Sequence, residues 1–264
     1  MLVIENVRKV FNEGTVNEKV ALNGLNLHLK PGDFVTVIGG NGAGKSTMLN
    51  SVAGVYGVDE GKILIDGVDV TKLPEYKRAK FIGRVFQDPM MGTAATMQIE
   101  ENMALAARRG KPRTLRSGIT AKEREEYREK LKILDLGLED RMTAKVGLLS
   151  GGQRQALTLL MATMQEPKLR LLDEHTAALD PKTAAKVLDA TQKIVEKSNL
   201  TTLMITHNMR DAIQYGNRLV MMYNGHIVVD VSGEEKKNLT VEQLLALFSK
   251  ASGSDEANDK LLLS

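Results

Sequence analysis

A glycine-rich loop between an apolar run and a helical run constrains this chain more than any other feature. The residues before the loop, 34–38, predict a short buried strand, and residues 46–52 predict the start of a helix. A glycine, four residues and then Gly-Lys-Ser is the spacing of a P-loop, which needs a strand and a helix on its two sides. The loop consists of Gly39, Gly40, Asn41, Gly42, Ala43, Gly44, Lys45, Ser46 and Thr47.

The loop predicts a site for a nucleoside triphosphate. Its glycines let the backbone curl, so that N–H groups point at phosphate oxygens, and the helix dipole adds positive partial charge there. We expect nucleotide contacts from Gly39 and residues 41–47, with Lys45 reaching the β- and γ-phosphates and the Ser46 hydroxyl binding Mg²⁺. The alternative is a turn that merely connects a strand to a helix.

The composition limits what else the chain can be. Its 264 residues suffice for one large domain or two closely packed ones, and 42% hydrophobic with 26% charged residues is ordinary for a globular protein. The absence of cysteine excludes disulfides and thiolate chemistry. No run approaches the roughly 18 apolar residues of a membrane span, and the N-terminus lacks the layout of a signal peptide. A net charge of +3 is too small to indicate nucleic acid. We therefore expect a soluble, cytoplasmic protein.

The first third of the chain predicts antiparallel strands beside the P-loop. Residues 2–11 alternate apolar and polar side chains, which favours a strand at a sheet edge, and residues 12–19 predict a polar loop. Residues 25–29 predict a strand with its leucines on one face, and residues 63–65 predict another strand before a turn. We interpret these elements as an antiparallel β subdomain.

The second half of the chain predicts a parallel sheet. A strand over 169–174, a helix over 181–198 and a strand over 201–206 follow one another, and this alternation is typical of an α/β fold. Asn224-Gly225 lies between two further apolar runs and is a strong hairpin signal. Residues 240–248 predict a short helix.

Between these parts, residues 90–150 carry helical periodicity, and we interpret them as an inserted helical subdomain. We expect one domain over 1–250, in which 1–89 and 151–250 form the core, followed by a disordered tail over 251–264. Within the insertion, residues 108–116 hold five basic side chains and no acidic one. This run predicts either contact with acidic loops or anionic lipid, or a solvated loop.

Two acids end the predicted strand at 169–174. In α/β sheets, ligands bind at the carboxyl ends of the strands. Asp173 suits a water-bridged contact to Mg²⁺, and Glu174, on the other face, suits activation of the attacking water. Taken alone, such a pair can equally be a solvated turn.

The order of these motifs resembles the ATP-binding cassette (ABC) family over roughly residues 2–230. The sequence Leu-Ser-Gly-Gly-Gln at 149–153 matches the signature that separates this family from other P-loop enzymes. The matching features are the P-loop, Gln87, Leu149-Ser150-Gly151-Gly152-Gln153, Asp173-Glu174, Ala178-Leu179-Asp180 and His207.

The resemblance implies roles for single residues around a bound nucleotide. Phe11 would stack on adenine, although a phenylalanine at the end of an apolar strand can also be a core residue. Gln87 would contact Mg²⁺ and water and link the core to the helical subdomain. Asp180 would lie in a loop at the dimer interface. His207 would bond the γ-phosphate and position Glu174.

The signature is implied to act on ATP held by a second copy. Ser150, Gly151 and Gly152 match the residues that contact that γ-phosphate, and we include Gln153 in the nucleotide-binding set. Local physics agrees, because Ser150 and Gln153 have the spacing of a capping box and glycines leave N–H groups uncovered at a positive helix end. A capping box explains the serine and the glutamine, but not two consecutive glycines.

Two residues depart from the family pattern. His175 stands where the family usually has proline, a variant that puts little in doubt. Arg170 lies in a strand that is normally apolar throughout, where an unpaired charge is costly. We expect that Arg170 either reaches solvent or an acid, or lowers the stability of the chain.

The resemblance implies an α/β P-loop ATPase subunit of a membrane transporter that uses ATP and Mg²⁺. Its expected partners are a second copy in a head-to-tail pair, a permease that holds it at the inner face of the membrane, and a solute-binding protein. The motifs look most like those of uptake systems for amino acids and similar solutes. The alternatives are an exporter or lipid-extraction ATPase, an ATPase of DNA repair or the ribosome, and a nucleotide sensor without turnover.

Overall fold

The computed structural model describes residues 1–111, 118–198 and 200–252. The strands are β1 (Leu2–Phe11), β2 (Lys19–Leu29), β3 (Phe34–Ile38), β4 (Glu60–Ile65), β5 (Val68–Asp69), β6 (Ile82–Val85), β7 (Leu169–Asp173), β8 (Thr201–Ile205), β9 (Arg218–Tyr223) and β10 (His226–Ser232). The helices are α1 (Lys45–Ala53), α2 (Glu75–Arg78), α3 (Ile99–Ala107), α4 (Ala121–Lys132), α5 (Gly151–Thr163), α6 (Pro181–Ser198), α7 (Met209–Gln214), α8 (Gly233–Lys237) and α9 (Val241–Ser252), and Val146–Leu148 forms a 3-10 turn.

A six-stranded sheet in the order β10-β9-β3-β8-β7-β6 forms the centre of the molecule. Its strands from β9 to β6 are parallel, whereas β10 is antiparallel to β9. Every residue of β3 and β8 is buried, which explains why neither strand carries a charged residue or alternates apolar with charged side chains. Because parallel strands end at the same edge, the residues that follow β3, β6, β7 and β8 meet there.

The antiparallel sheet has the order β2-β1-β4-β5, so the predicted edge position of β1 is wrong. Leu2 pairs with Leu29 of β2 on one side and with Ile65 of β4 on the other. Alternating burial could not distinguish the two positions, because a central antiparallel strand with one solvated face alternates in the same way. β2 also starts six residues before the predicted 25, since pairing with β1 continues to Lys19.

The segment between β6 and β7 is helical, as the sequence predicts. Helices α3 and α4 pack with α5 around buried side chains that recur at helical spacing, such as Tyr127 and Leu131 on α4. Of the basic run at 108–116, residues 112–116 lie outside the described residues. The structure confirms an α/β fold with a mainly parallel sheet, an antiparallel β sheet and an inserted helical part.

The predicted hairpin is confirmed at residues 224 and 225. Asn224 and Gly225 have φ angles of 46° and 78°, and β9 and β10 pair on either side of them. Two positive φ angles are the requirement of a tight hairpin turn whose twist matches that of the strands. This explains why asparagine and glycine stand there.

The last helix is longer than predicted. The sequence predicts an end at 248, but α9 continues to Ser252. Residues 251 and 252, the first two of the predicted tail over 251–264, are therefore helical. Leu244 and Phe248 are buried against the strand pair β9–β10. The carbonyl of Phe248 needs the N–H four residues further on, which the turn to Ser252 supplies. Residues 253–264 lie outside the described residues.

Arg170 lies on β7, between β8 and β6, and reaches neither solvent nor an acid. It is 0% exposed, and its three side-chain nitrogens have no hydrogen-bond partner among the described residues. Burial lowers the pKa of its guanidinium to about 10. Of the three alternatives, the one that remains is that Arg170 lowers the stability of the chain, and it stays a prediction.

Candidate nucleotide site

The P-loop curls between β3 and α1 in a form that only glycine permits at two positions. Gly39 and Gly44 have φ angles of +151° and +101°. A Cβ on Gly39 would lie 2.3 Å from the carbonyl oxygen of Met222, and one on Gly44 would lie 2.5 Å from that of Ala21. The two glycines are thus fixed by neighbouring backbone as well as by their own conformation.

The left-handed residue Gly44 precedes helix α1, which has no side-chain cap and no acidic residue in its first turn. A helix N-terminus of this kind keeps its positive partial charge uncompensated, which favours an anion. The Ser46 side chain is exposed in the same turn, and Thr47 is half-buried. The loop and the first turn together present donors and a hydroxyl to a phosphate chain.

Lys45 is folded back onto the loop. Its Nζ donates hydrogen bonds to the carbonyl oxygens of Gly39 at 2.6 Å and Gly40 at 3.2 Å, and the residue is 5% exposed. Burial lowers the pKa of Lys45, and the carboxylates of Glu174 and Asp173 oppose that shift. The ammonium group is therefore buried near two acids and bonded to two loop carbonyls.

Glu174 and His207 follow neighbouring strands and form a close pair. His207 Nε2 lies 2.6 Å from Glu174 Oε1, and the Glu174 side chain is only 9% exposed. The strand was predicted to include Glu174, but β7 ends one residue earlier, because Glu174 has a left-handed φ of 46°. The Glu174 N–H still donates to the carbonyl of Ile205 at 3.0 Å. This turn directs the carboxylate away from the sheet and toward the imidazole. His207 Nδ1 is buried with no partner among the described residues.

These residues surround one cavity of about 290 Å³. The structure brings together the P-loop, Gln87, Glu174 and His207, as the sequence predicts, and adds Lys19 and Ala21 from β2. The cavity is lined by Lys19, Ala21, Asn41, Gly42, Ala43, Gly44, Lys45, Ser46, Thr47, Gln87, Glu174 and His207.

Asp173 lies at the end of β7, next to the cavity rather than on its lining. Its side chain is 16% exposed, and its Oδ2 lies 3.5 Å from Nη2 of Arg84. Burial raises the pKa of Asp173, and the positive charge of Arg84 opposes that shift. The sequence did not single out Arg84, because a contact between β6 and β7 has no local signal.

Phe11 is not part of the cavity lining. Its ring packs edge-to-face on Tyr56 with 5.2 Å between the ring centroids. The Lys9 Nζ lies 5.5 Å from the centroid of the Phe11 ring. Its partner across the strand pair β1–β2 is Lys19, which does line the cavity. Stacking of Phe11 on adenine therefore stays a prediction.

The signature residues lie apart from this cavity. The expected capping box is present, because Ser150 Oγ accepts from the Gln153 N–H at 3.3 Å and Gln153 Oε1 accepts from the Ser150 N–H at 3.1 Å. A Cβ on Gly152 would lie 1.9 Å from Cγ2 of Thr183, so packing of α5 on α6 explains this glycine. A Cβ on Gly151 would lie 3.5 Å from Cδ2 of Leu179, which is an ordinary contact, so packing does not require a glycine there.

Asp180 is also outside the cavity, where it caps helix α6. Its Oδ1 accepts from the Thr183 N–H at 3.1 Å, and the hydrogen bonds at this helix start lower the pKa of Asp180. His175 is buried, and its Nε2 lies 3.1 Å from Thr191 Oγ1. Neither residue contacts the P-loop in a single copy of the chain.

The site fits Mg²⁺ through oxygen atoms. Mg²⁺ is bound in nucleotide sites by one or two protein oxygens together with phosphates and water. Ser46 and Gln87 line the cavity and Asp173 adjoins it, so a hydroxyl, an amide and a carboxylate are available. The described residues include no cluster of three or more His, Asp or Glu side chains that would hold a metal without a nucleotide.

Comparisons with known proteins show the family of the chain. The family model described as ABC transporter matches residues 22–177. The tyrosine transport ATP-binding protein of Clostridioides difficile (strain R20291) is 44% identical, over 95% of this chain and 100% of that protein. The phosphonates import ATP-binding protein PhnC of Lactococcus lactis subsp. cremoris (strain SK11) is 34% identical, over 89% of this chain and 94% of that protein.

Solved structures share the fold. The ATP-binding cassette MJ0796, in a dimeric post-hydrolysis state bound to ADP and Pi, has a TM-score of 0.74 and 31% identity, and the match covers 88% of this chain and 98% of that one. The ADP conformation of the cassette MJ1267 has a TM-score of 0.76 and 28% identity, over 94% of this chain and 98% of that one.

The chain is thus a P-loop ATPase by its fold and site. It belongs to the ABC transporter family, as the ATP-binding subunit of a transporter that uses ATP and Mg²⁺. Within the described ranges, no helix has both the length and the apolar character to span a membrane.

Proposed function

We propose that this chain hydrolyses ATP at the cavity between the P-loop and the pair Glu174–His207. The observation that carries the proposal is the distance of 2.6 Å between His207 Nε2 and Glu174 Oε1 at the edge of that cavity. Glu174 would accept a proton from the attacking water, and His207 would hold the carboxylate in place. Lys45 and the loop N–H groups would bind the phosphates.

Mg²⁺ would be held by Ser46, Gln87 and Asp173, and when bound it neutralises charge on the β- and γ-phosphates. Gln87 would place its amide between the metal site and the helical part of the chain. Phe11 would cover the adenine from the end of β1.

Removing either member of the pair tests this assignment. Glu174→Gln and His207→Ala are expected to lower kcat by roughly 10²–10⁴-fold, the usual effect of losing a positioned proton acceptor. The affinity for ATP should change little in Glu174→Gln, because Glu174 does not belong to the loop that binds the phosphates. His207→Ala should also weaken ATP binding, because the resemblance implies that His207 bonds the γ-phosphate. ATPase assays and ATP titrations on the same preparations separate the two. A kcat within threefold of the unchanged chain would rule out this role.

We also propose that two copies close head to tail around two ATP molecules. The exposed Ser150 and Gly151 lie outside the cavity of their own copy, which supports a role toward the cavity of another copy. Gly152, Gln153 and Asp180 would complete that surface. A relative of this chain is dimeric with ADP and Pi bound, which supports pairing of two copies.

The transporter is proposed to be an importer of an amino acid or a similar small solute. The relative named for tyrosine transport is 44% identical over nearly the whole chain, and another is named for phosphonate import. A separate permease would hold the subunit at the inner face of the membrane, and a solute-binding protein would deliver the solute. Deleting the gene in its source cells should reduce uptake of labelled tyrosine or another amino acid. Unchanged amino-acid uptake with reduced phosphonate uptake would move the proposal to phosphonates.

A further inference from the structure

Arg84 connects the predicted metal ligand Asp173 to the helix of the P-loop. Its side chain extends from β6 toward β7 and α1 and is 14% exposed. Its Nη2 lies 3.5 Å from Asp173 Oδ2 and donates to Oδ1 of Asn50, on α1, at 2.7 Å. Its guanidinium carbon lies 4.6 Å from the ring centroid of Phe86. Two neighbouring elements, α1 and β7, and the ring of Phe86 therefore hold one side chain in place.

The strand register explains how Arg84 reaches Asp173. Arg84 pairs with Leu171 on β7, and Leu171 and Asp173 are on the same face because side chains alternate along a strand. The same face packs against α1, which supplies Asn50. Arg84 is thereby the one ion-pair partner of Asp173 within the parts of the chain that the structure describes.

We propose that Arg84 is a positioning residue, which orients the Asp173 carboxylate for Mg²⁺ in the nucleotide complex. The inference rests on the proposed assignment of Asp173 to the metal. A planar guanidinium can bond Asn50 and face a carboxylate at a fixed angle while it stacks on an aromatic ring, which an ammonium group does less well. Residues that orient a metal ligand typically change metal affinity by about 10–100-fold when they are removed.

The test measures metal affinity separately from nucleotide affinity. Mn²⁺ replaces Mg²⁺, and electron paramagnetic resonance gives its Kd for the complex of the full chain with ADP. Arg84→Met is expected to weaken Mn²⁺ binding about tenfold. ADP affinity in EDTA should stay within twofold, because neither Arg84 nor Asp173 lines the nucleotide cavity. Arg84→Lys should restore part of the loss, since it keeps the charge but not the planar fork.

Two further variants make the result interpretable. Arg109→Met is the matched control, because Arg109 lines a cavity together with Arg84 but has no contact with Asp173 among the described residues. It should leave both affinities unchanged. Asp173→Asn must itself weaken Mn²⁺ binding; if it does not, the assignment of Asp173 to the metal fails, and not the role of Arg84 alone.

Three outcomes would overturn the proposal for Arg84 while Asp173→Asn behaves as expected. Mn²⁺ affinity that is unchanged or tighter in Arg84→Met means that the guanidinium does not help to orient the ligand. An equal loss of Mn²⁺ and ADP affinity means that it only supports the fold. If Arg109→Met loses as much Mn²⁺ affinity as Arg84→Met, the loss comes from removing a positive charge and not from the contact with Asp173.

Discussion

At the scale of single residues, Arg170 is the feature that physical chemistry most clearly marks as unfavourable. Its guanidinium is buried in a parallel strand with no partner among the described residues. The pKa of about 10 lies below the usual 12.5. At about 1.4 kcal/mol per pKa unit, this shift corresponds to a cost of about 3 kcal/mol. Because the folded pKa of a cation is lowered, the cost is fully present below pH 10 and declines as the pH rises from 10 to 12.5.

Arg170→Leu is therefore expected to stabilise the chain. The substitution removes the buried charge and adds apolar contacts, so the free energy of unfolding should rise by about 2–3 kcal/mol and Tm by several degrees. Thermal unfolding at pH 7 measures the change. The exposed Arg141→Leu serves as the control and should leave Tm unchanged. An equal or lower Tm for Arg170→Leu would show that Arg170 has a stabilising partner.

Lys19 adds a second prediction at this scale. It lines the nucleotide cavity, and its Nζ would lie 3.5 Å from a Cβ placed on Gly42. An exposed ammonium beside bound phosphates contributes up to about 1 kcal/mol. Lys19→Ala should accordingly raise the KM for ATP about two- to fivefold with kcat nearly unchanged. Lys122→Ala, on the exposed face of α4, is the control, and an identical KM for both variants would exclude Lys19 from the site.

The sequence could predict those site residues that local motifs contain. The P-loop is one continuous segment, and Asp173 and Glu174 follow a strand whose neighbours are parallel, so their meeting was predictable. Lys19 and Arg84 were missed because their own surroundings in the chain carry no motif. Arg84 reaches Asp173 through the pairing of β6 with β7, which are distant in sequence. Lys19 lines the cavity from β2, which belongs to the other sheet.

At the scale of elements, the contact between α5 and α6 depends on a glycine. A Cβ on Gly152 would overlap Cγ2 of Thr183, whereas one on Gly151 would make an ordinary contact with Leu179. The family resemblance implies that both glycines contact ATP held by a second copy. The structure gives Gly152 a role in helix packing as well. The two roles can be separated by experiment.

Gly152→Ala is expected to destabilise the chain. Overpacking of this kind costs about 1–3 kcal/mol, which lowers Tm by several degrees. Adding Thr183→Ala to the same chain should recover most of that loss, because it removes the overlapping methyl group. Gly151→Ala should leave Tm within about 2 °C. If Gly152→Ala is as stable as Gly151→Ala, the packing explanation is wrong.

Element types followed from the sequence more closely than element positions did. The turn at Asn224-Gly225 needs two positive φ angles, which its residues favour, and it was predicted correctly. The central position of β1 was not, because alternating burial reports one solvated face and says nothing of how many strands flank it. The domain boundaries at 90 and 150 stay predictions.

At the scale of the whole molecule, the proposed active site is divided between two copies. The cavity with Glu174 and His207 is on one surface, and the exposed Ser150 and Gly151 are outside it. A single copy would therefore bind ATP without the donors of the signature. Closure of two copies should depend on ATP, since the γ-phosphate would be the group that both contact.

The solution mass of Glu174→Gln, measured by light scattering with and without Mg-ATP, tests this claim most directly. The substitution should stop hydrolysis and keep the closed pair, and a further Ser150→Arg should prevent closure by placing a bulky side chain at the shared surface. We predict that ATP doubles the mass of Glu174→Gln from the 29.0 kDa of one chain, and that the double variant stays at that mass. A Glu174→Gln chain that binds ATP and remains at 29.0 kDa would contradict the account.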